Sequence, residues 1–277
     1  MTSAAPVAGG FVRGVDPERA SRLAFFGVSA LLFAISAAVT VVWCASMQAM
    51  GGMPMPGGWT MAMAWMRMPG ESWPGAAASF LGMWTTMMVA MMLPSLVPML
   101  WRYRQRLRGG GEKRIGLLAA VAAVAYFVVW SAIGLAVYPL GATLATIEMR
   151  QAALAPAVPI ATGIVVLMAG MFQFSGQKTR ALAACQQPLG RGRVLPATVG
   201  TAWRDGLHLG LRCLSSCAGL MAILVVLGVM DVRVMAVVTA AITLERVASA
   251  PARAARIVGA VTIGAGALVI VRAAGLG

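Results

Sequence analysis

Charge is what this 277-residue chain has least of: 11% of its residues are Asp, Glu, Lys or Arg, with eight acids in all and a single histidine. Soluble domains carry about 25% charged residues, so a water-soluble globular enzyme is excluded. The scarcity of acids and histidine goes with the absence of a catalytic constellation. There are no paired catalytic carboxylates, no Ser/His/Asp arrangement and no glycine-rich phosphate loop. Four cysteines are too few to frame a chain of this length with disulfides. The 22 basic residues give a formal net charge of +14. They are scattered between apolar segments, not gathered on a continuous face that reaches phosphates, so nucleic acid is not the partner they point to.

What the chain does have is hydrophobic residues, 60% of the total, in long runs. These predict an all-α, polytopic transmembrane helix bundle in a lipid bilayer. Seven spans are expected, near residues 23–46, 76–99, 115–140, 157–176, 206–230, 234–250 and 257–274. Lengths of about 17 to 26 residues suit a hydrocarbon core about 30 Å thick. The sixth is the weakest because Glu245 and Arg246 interrupt it, and without it six spans remain. With the N-terminus cytoplasmic, 18 basic residues fall on the cytoplasmic side and four on the other, the asymmetry expected of an inserted chain. Residues 1–22 are then a cytoplasmic tail, and residues 23–277 form one transmembrane domain with an extracytoplasmic loop at 47–75. The first apolar run is long enough to span and reads as an anchor, not as a cleavable signal.

Methionine is the residue in excess. Of 21 methionines, 14 lie between residues 47 and 99, eight of them in the loop segment MQAMGGMPMPGGWTMAMAWMRM. Thioethers gain little by exposure to water, and their chemical use is as soft ligands for Cu(I). The alternative is a surface helix at 59–68 with Trp59, Trp65 and the methionines in lipid. On the second span, Met83, Met87 and Met91 recur every four residues, with Met88 and Met92 one position round. Two adjacent thioether stripes therefore run down the helix. They serve either as gap-filling core or as ligands. Pro94 and Pro98 loosen the far end of that span.

Cys213 and Cys217 are four apart on the fifth span, so their sulfurs share a face that Met221 continues. Two thiolates in that arrangement suit Cu(I), and Cys185, in the loop after the fourth span, offers a third sulfur. Buried cysteine is also a common small hydrophobe. His208 is the one side chain that titrates near neutrality unperturbed. It and Glu245 are candidates for proton or charge-balancing work. Glu245 stands in an apolar span, where an acid must be paired or wetted. Its alternative role is an ion pair with an arginine of a neighbouring loop, while Arg246 snorkels to the interface.

Three segments carry a resemblance: WTTMMVAMMLP at residues 84–94, AGMFQFSGQKTRALAACQQP at 169–188, and CLSSCAGLM at 213–221 followed by GVMDVRVM and Glu245-Arg246. Together they resemble the bacterial family of predicted metal-binding integral membrane proteins that includes copper-chaperone-like proteins associated with tyrosinase maturation. The resemblance implies copper handling in a bacterial cytoplasmic membrane and a cuproenzyme client such as a tyrosinase-like oxidase. It also implies further cysteines where this chain has Ala181 and Ser216, so this chain would lean more on methionine. The expected function is that of a Cu(I) chaperone or transfer protein. A copper or cation permease and a non-catalytic assembly subunit are the alternatives.

Overall fold

A computed structural model describes residues 17–55, 59–61, 65–67, 70–107, 112–151, 153, 155–187 and 198–275. The chain is an all-α bundle of eight helices among the described residues. They are α1 (Pro17–Ala49), α2 (Trp73–Arg106), α3 (Glu112–Arg150), α4 (Val158–Phe172), α5 (Gly176–Gln186), α6 (Val199–Leu227), α7 (Val232–Val247) and α8 (Pro251–Ala273). Two three-residue strands, Met53–Met55 and Trp59–Met61, pair antiparallel between α1 and α2.

Short polar residues set where the helices begin. Ser72 opens α2 by accepting a bond from the Gly75 amide, and Pro74 occupies the first turn, where its missing N–H is harmless. Ser175 opens α5 through the Lys178 amide. A reciprocal box of Thr198 and Thr201 opens α6, and Asp231 takes the Arg233 and Val234 amides at the start of α7. Each cap satisfies donors that a helix start leaves without partners. Gly228 ends α6 at φ +136°, a backbone conformation that a side chain would strain.

The helices meet along small residues. Gly163 and Gly170 of α4 face Gly259 and Gly266 of α8, and a methyl on Gly170 would come within 3.1 Å of the Gly259 carbonyl. A methyl on Gly206 of α6 would collide with the Ala122 carbonyl of α3. Close backbone approach of this kind holds helices together where apolar side chains gain nothing by leaving an apolar solvent. α7 packs among α2, α6 and α8, while α5 crosses α6, α7 and α8. The core is continuous, from Phe80 and Met83 through Trp84, Met87, Met88, Tyr126 and Trp130 to Cys213, Leu220 and Ile242. The outside of the bundle is apolar too: Leu31, Val42, Leu140, Val237 and Val261 are all exposed. Apolar surface of this extent marks contact with a membrane or with another protein.

Among the described residues six helical segments are long and apolar enough to cross a membrane: Glu18–Ala49, Trp73–Arg106, Arg114–Arg150, Ala155–Phe172, Val199–Leu227 and Pro251–Ala273. The sixth expected span, 234–250, is α7, whose 16 residues rise about 24 Å and do not join that set. Its start is tied to the end of α1 by a 3.1 Å bond from Gln48 Nε2 to the Met230 carbonyl. Its last turn lies beside Ser95 and Cys213. α7 therefore still carries the chain back along the bundle, with Met235, Val238, Ile242, Glu245 and Arg246 turned inward and Val237, Leu244 and Val247 exposed.

Four further differences from the sequence reading concern local structure. Residues 176–186 are a helix, so Cys185 is held on α5 and not in a loop. Residues 59–61 form a strand and not the start of a surface helix, while 62–64, 68 and 69 lie outside the described residues. α2 runs unbroken through Pro94 and Pro98. Of the expected tail, residues 17–22 already belong to α1, and 1–16 lie outside the described residues.

Candidate metal centre

Helix periodicity puts Cys213 and Cys217 on the same face of α6, and packing turns that face into the core, where each is 1% exposed. Cys217 Sγ reaches back to the Cys213 carbonyl at 3.0 Å. Opposite stands α2: Cys213 Sγ lies 3.9 Å from Met92 Sδ. The lower end of the thioether stripe and the thiol pair thus meet. From α3, the Tyr126 hydroxyl hydrogen bonds with Cys213 Sγ at 2.8 Å. Met83, Met87, Met88 and Met91 are buried in the same core along α2, and Met221 is buried one turn beyond Cys217. Cys185 approaches from α5, 3.5 Å from Ser216 Oγ and 3.1 Å from the Arg212 carbonyl. Ser216 therefore stands between Cys185 and the pair. Burial pushes the Cys185 thiol up, with Arg246 nearby pulling the other way.

Around the sulfurs is a buried charged network. Lys178 Nζ lies 2.6 Å from Glu245 Oε2, both side chains almost wholly enclosed, and it also donates to the Ser216 carbonyl. Arg246 Nη2 donates to Ser216 Oγ at 2.9 Å and to the Cys213 carbonyl at 3.2 Å, and Nη1 donates to Ser95 Oγ at 3.2 Å. Arg246 therefore does not snorkel: it is 7% exposed and clamps α7 to α2 and α6. Isolated charges this deep would be very costly, and here each has hydrogen-bond partners. Glu245 is matched by Lys178, whereas the three Arg246 bonds all end on neutral oxygens.

Lys178, two residues beyond the expected fourth span, and Arg246, expected to snorkel, are both part of the centre. Neither role is visible from composition, since a lysine two residues after a Ser-Gly turn reads as solvated. Tyr126 and Ser95 were also not anticipated. A hydroxyl-bearing residue within an apolar span was the available signal for each. His208, by contrast, is exposed on α6 and does not face the sulfurs.

Among the described residues no group of three or more His, Cys, Asp or Glu converges as a metal site. The donors that do converge are two thiols and a thioether, a soft set suited to a soft ion and ill-matched to zinc, which takes four closed N/S ligands in structural sites.

These features define an apolar helical bundle that encloses three charged side chains, Lys178, Glu245 and Arg246, beside the thiols of Cys185, Cys213 and Cys217. A family model described as copper chaperone, PpoB2, matches residues 81–269, and the chain belongs to that family. No curated protein and no solved structure matches it. The matched region takes in the α2 stripe, Lys178, Cys185, the Cys213/Cys217 pair and Glu245-Arg246.

Proposed function

We propose that this protein is a multi-pass chaperone of the bacterial cytoplasmic membrane that holds Cu(I) between Cys213, Cys217 and Met92 and passes it to a cuproenzyme, such as a tyrosinase-like oxidase. The observation that carries the reading is the 3.9 Å approach of Cys213 Sγ to Met92 Sδ in the buried core. Copper is the cargo here, and the role asks for binding and release without bond-making chemistry.

Charge supports a monovalent ion. Two thiolates and Cu(I) leave one net negative charge. Arg246, bonded to the Cys213 carbonyl and to no carboxylate, supplies the compensating positive one. A divalent ion would leave Arg246 facing a neutral complex. Sulfur donors likewise prefer Cu(I) to hard cations. Tyr126 and Arg246 act as outer partners that fix the sulfurs, a role commonly worth 10- to 100-fold in affinity, to order of magnitude. Cys185, on the far side of Ser216, gives a departing ion its next sulfur.

The six apolar helices and the exposed apolar surface support insertion in a bilayer. The basic residues remaining outside the bundle support an orientation with the N-terminus cytoplasmic and the methionine-rich segment outside.

Metal analysis of detergent-purified protein under reducing conditions tests the reading. Bound Cu(I) that disappears in Cys213→Ala/Cys217→Ala is the expected outcome, and equal binding by that variant would refute the site. Metal uptake into sealed proteoliposomes would replace the chaperone by a permease.

A further inference from the structure

A second cluster of sulfur lies at the other end of the bundle, apart from all the residues of the cysteine centre. A cavity of about 220 Å3 is walled by Met47, Met66, Met83 and Met230, together with Glu71 and Tyr138. The four methionines come from four separate segments: the last turns of α1, the chain just before α2, the first half of α2, and the turn between α6 and α7. Gln48 ties that last turn to α1, which fixes Met230 across from Met47. Trp65, Phe80 and Tyr138 form an aromatic cluster beneath, with ring centroids 5.3 and 5.0 Å apart in successive pairs.

Two observations separate this space from ordinary packing. Flexible methionine is the side chain best able to fold over and fill a gap; here four line a cleft that opens to the outside and leave it unfilled. The buried Tyr138 hydroxyl on its wall has no hydrogen-bond partner, an orphan that a native fold rarely tolerates without an occupant.

We propose that this cavity is a second metal site, a loading chamber that takes a soft monovalent cation, Cu(I), on thioether sulfur before it reaches the cysteines. The proposal rests on the copper reading above for its cargo. Thioethers are neutral, so the ion keeps its charge, and Glu71 supplies the carboxylate on the wall; Ser79 holds that carboxylate with a 3.3 Å bond to Oε1. Four thioethers discriminate against hard divalent cations, which take oxygen ligands. Met83 belongs both to the chamber and to the α2 stripe. From it, Met87 or Met88 and then Met91 or Met92 follow at successive steps of roughly one helical turn, about 6 to 7 Å apart along the axis. The stripe ends at the sulfur that touches Cys213. The transfer is ligand exchange throughout, with no change of oxidation state.

The test uses the full-length chain in detergent with all four cysteines replaced by alanine, titrated with Ag(I) as a redox-inert probe. About one equivalent of Ag(I) should remain bound, since soft cations accept thioether donors. Adding Met47→Leu, Met66→Leu, Met83→Leu and Met230→Leu, swaps that conserve volume, should abolish it. No binding by the cysteine-free chain, or binding unchanged by the four leucines, would overturn the chamber.

A second measurement needs no variant. In the native chain Ag(I) should slow peroxide oxidation of Met47 and Met66 by about fivefold or more through occupation of their sulfurs, leaving exposed Met50 unchanged. Equal oxidation with and without Ag(I) also overturns the proposal. If the chamber fails these tests while Cys213→Ala/Cys217→Ala still removes Cu(I), only the chamber falls. If the native chain binds no Cu(I) yet Ag(I) protects Met47 and Met66, the chaperone reading falls and the chamber stands.

Discussion

At one end of the bundle, thioethers from four segments surround an open cavity beside a carboxylate. About 13 Å further along α2, by helical rise, two thiols sit closed in protein beside Arg246 and a Lys178–Glu245 pair. Both regions offer soft donors, but they suit different tasks. Neutral thioethers around a space accept an ion and let it go. Thiols that must lose protons to bind, walled in by compensating cations, hold it. The contrast makes the anion-stabilising surroundings of the cysteines, and not sulfur content alone, the feature that separates a holding site from a receiving one.

Removing the thiols should produce the largest effect. Cys213→Ala/Cys217→Ala is expected to lower the apparent Cu(I) affinity by about three orders of magnitude, or about 4 kcal/mol. Titration against a competing chelator measures it, and the thioether chamber alone should account for what remains.

Breaking the ion pair comes next, and it acts on the fold. Lys178→Met leaves Glu245 buried without its partner and should destabilise the protein by about 3 to 5 kcal/mol, read as a lower midpoint of unfolding in detergent. Lys178→Met/Glu245→Leu should recover a large part of that loss. If the double variant is no better than the single, the pair is not the reason the two charges are tolerated.

Arg246→Gln separates holding from folding. It keeps a donor for Ser216 but removes the compensating charge, so Cu(I) affinity should fall 10- to 100-fold, to order of magnitude. Arg246→Lys should restore part of it. An unchanged affinity would mean that the cysteine centre does not depend on its cation, and the contrast with the chamber would lose its basis.

How much of this was legible in the chain differs by kind of residue. Periodicity was enough to place Met83, Met87 and Met91 on one stripe and Cys213 beside Cys217, because a helix repeats locally whatever surrounds it. The apolar runs announced the all-α bundle for the same reason. Tertiary placement was not legible. Lys178 reads as a loop charge until α4 stops at Phe172 and a short helix, α5, folds back across α6. Arg246 reads as a snorkelling end residue until α7 is found packed against α2, α6 and α8 with that side chain on its buried face. The meeting of Met92 with Cys213 joins positions 121 residues apart, and no local pattern encodes it. The spacing of the chamber methionines gives no hint either, since three of the four come from different helices or turns than the α2 stripe.

Smaller effects sharpen the comparison from the other side. Met92→Leu preserves volume and should change stability by less than about 1.5 kcal/mol, while speeding release of Cu(I) to a chelator because the third sulfur is gone. His208→Ala, on the exposed face of α6, should alter neither binding nor stability.

The central claim is that the buried thiol pair with Met92 is where copper is held. Sulfur-ligand X-ray absorption on the Cu(I)-loaded, full-length protein addresses it most directly, with the native chain set beside Cys213→Ala/Cys217→Ala. The account predicts a sulfur-only shell around Cu(I) in the native chain and loss of the thiolate contribution in the variant. An identical copper environment in the two proteins would contradict it.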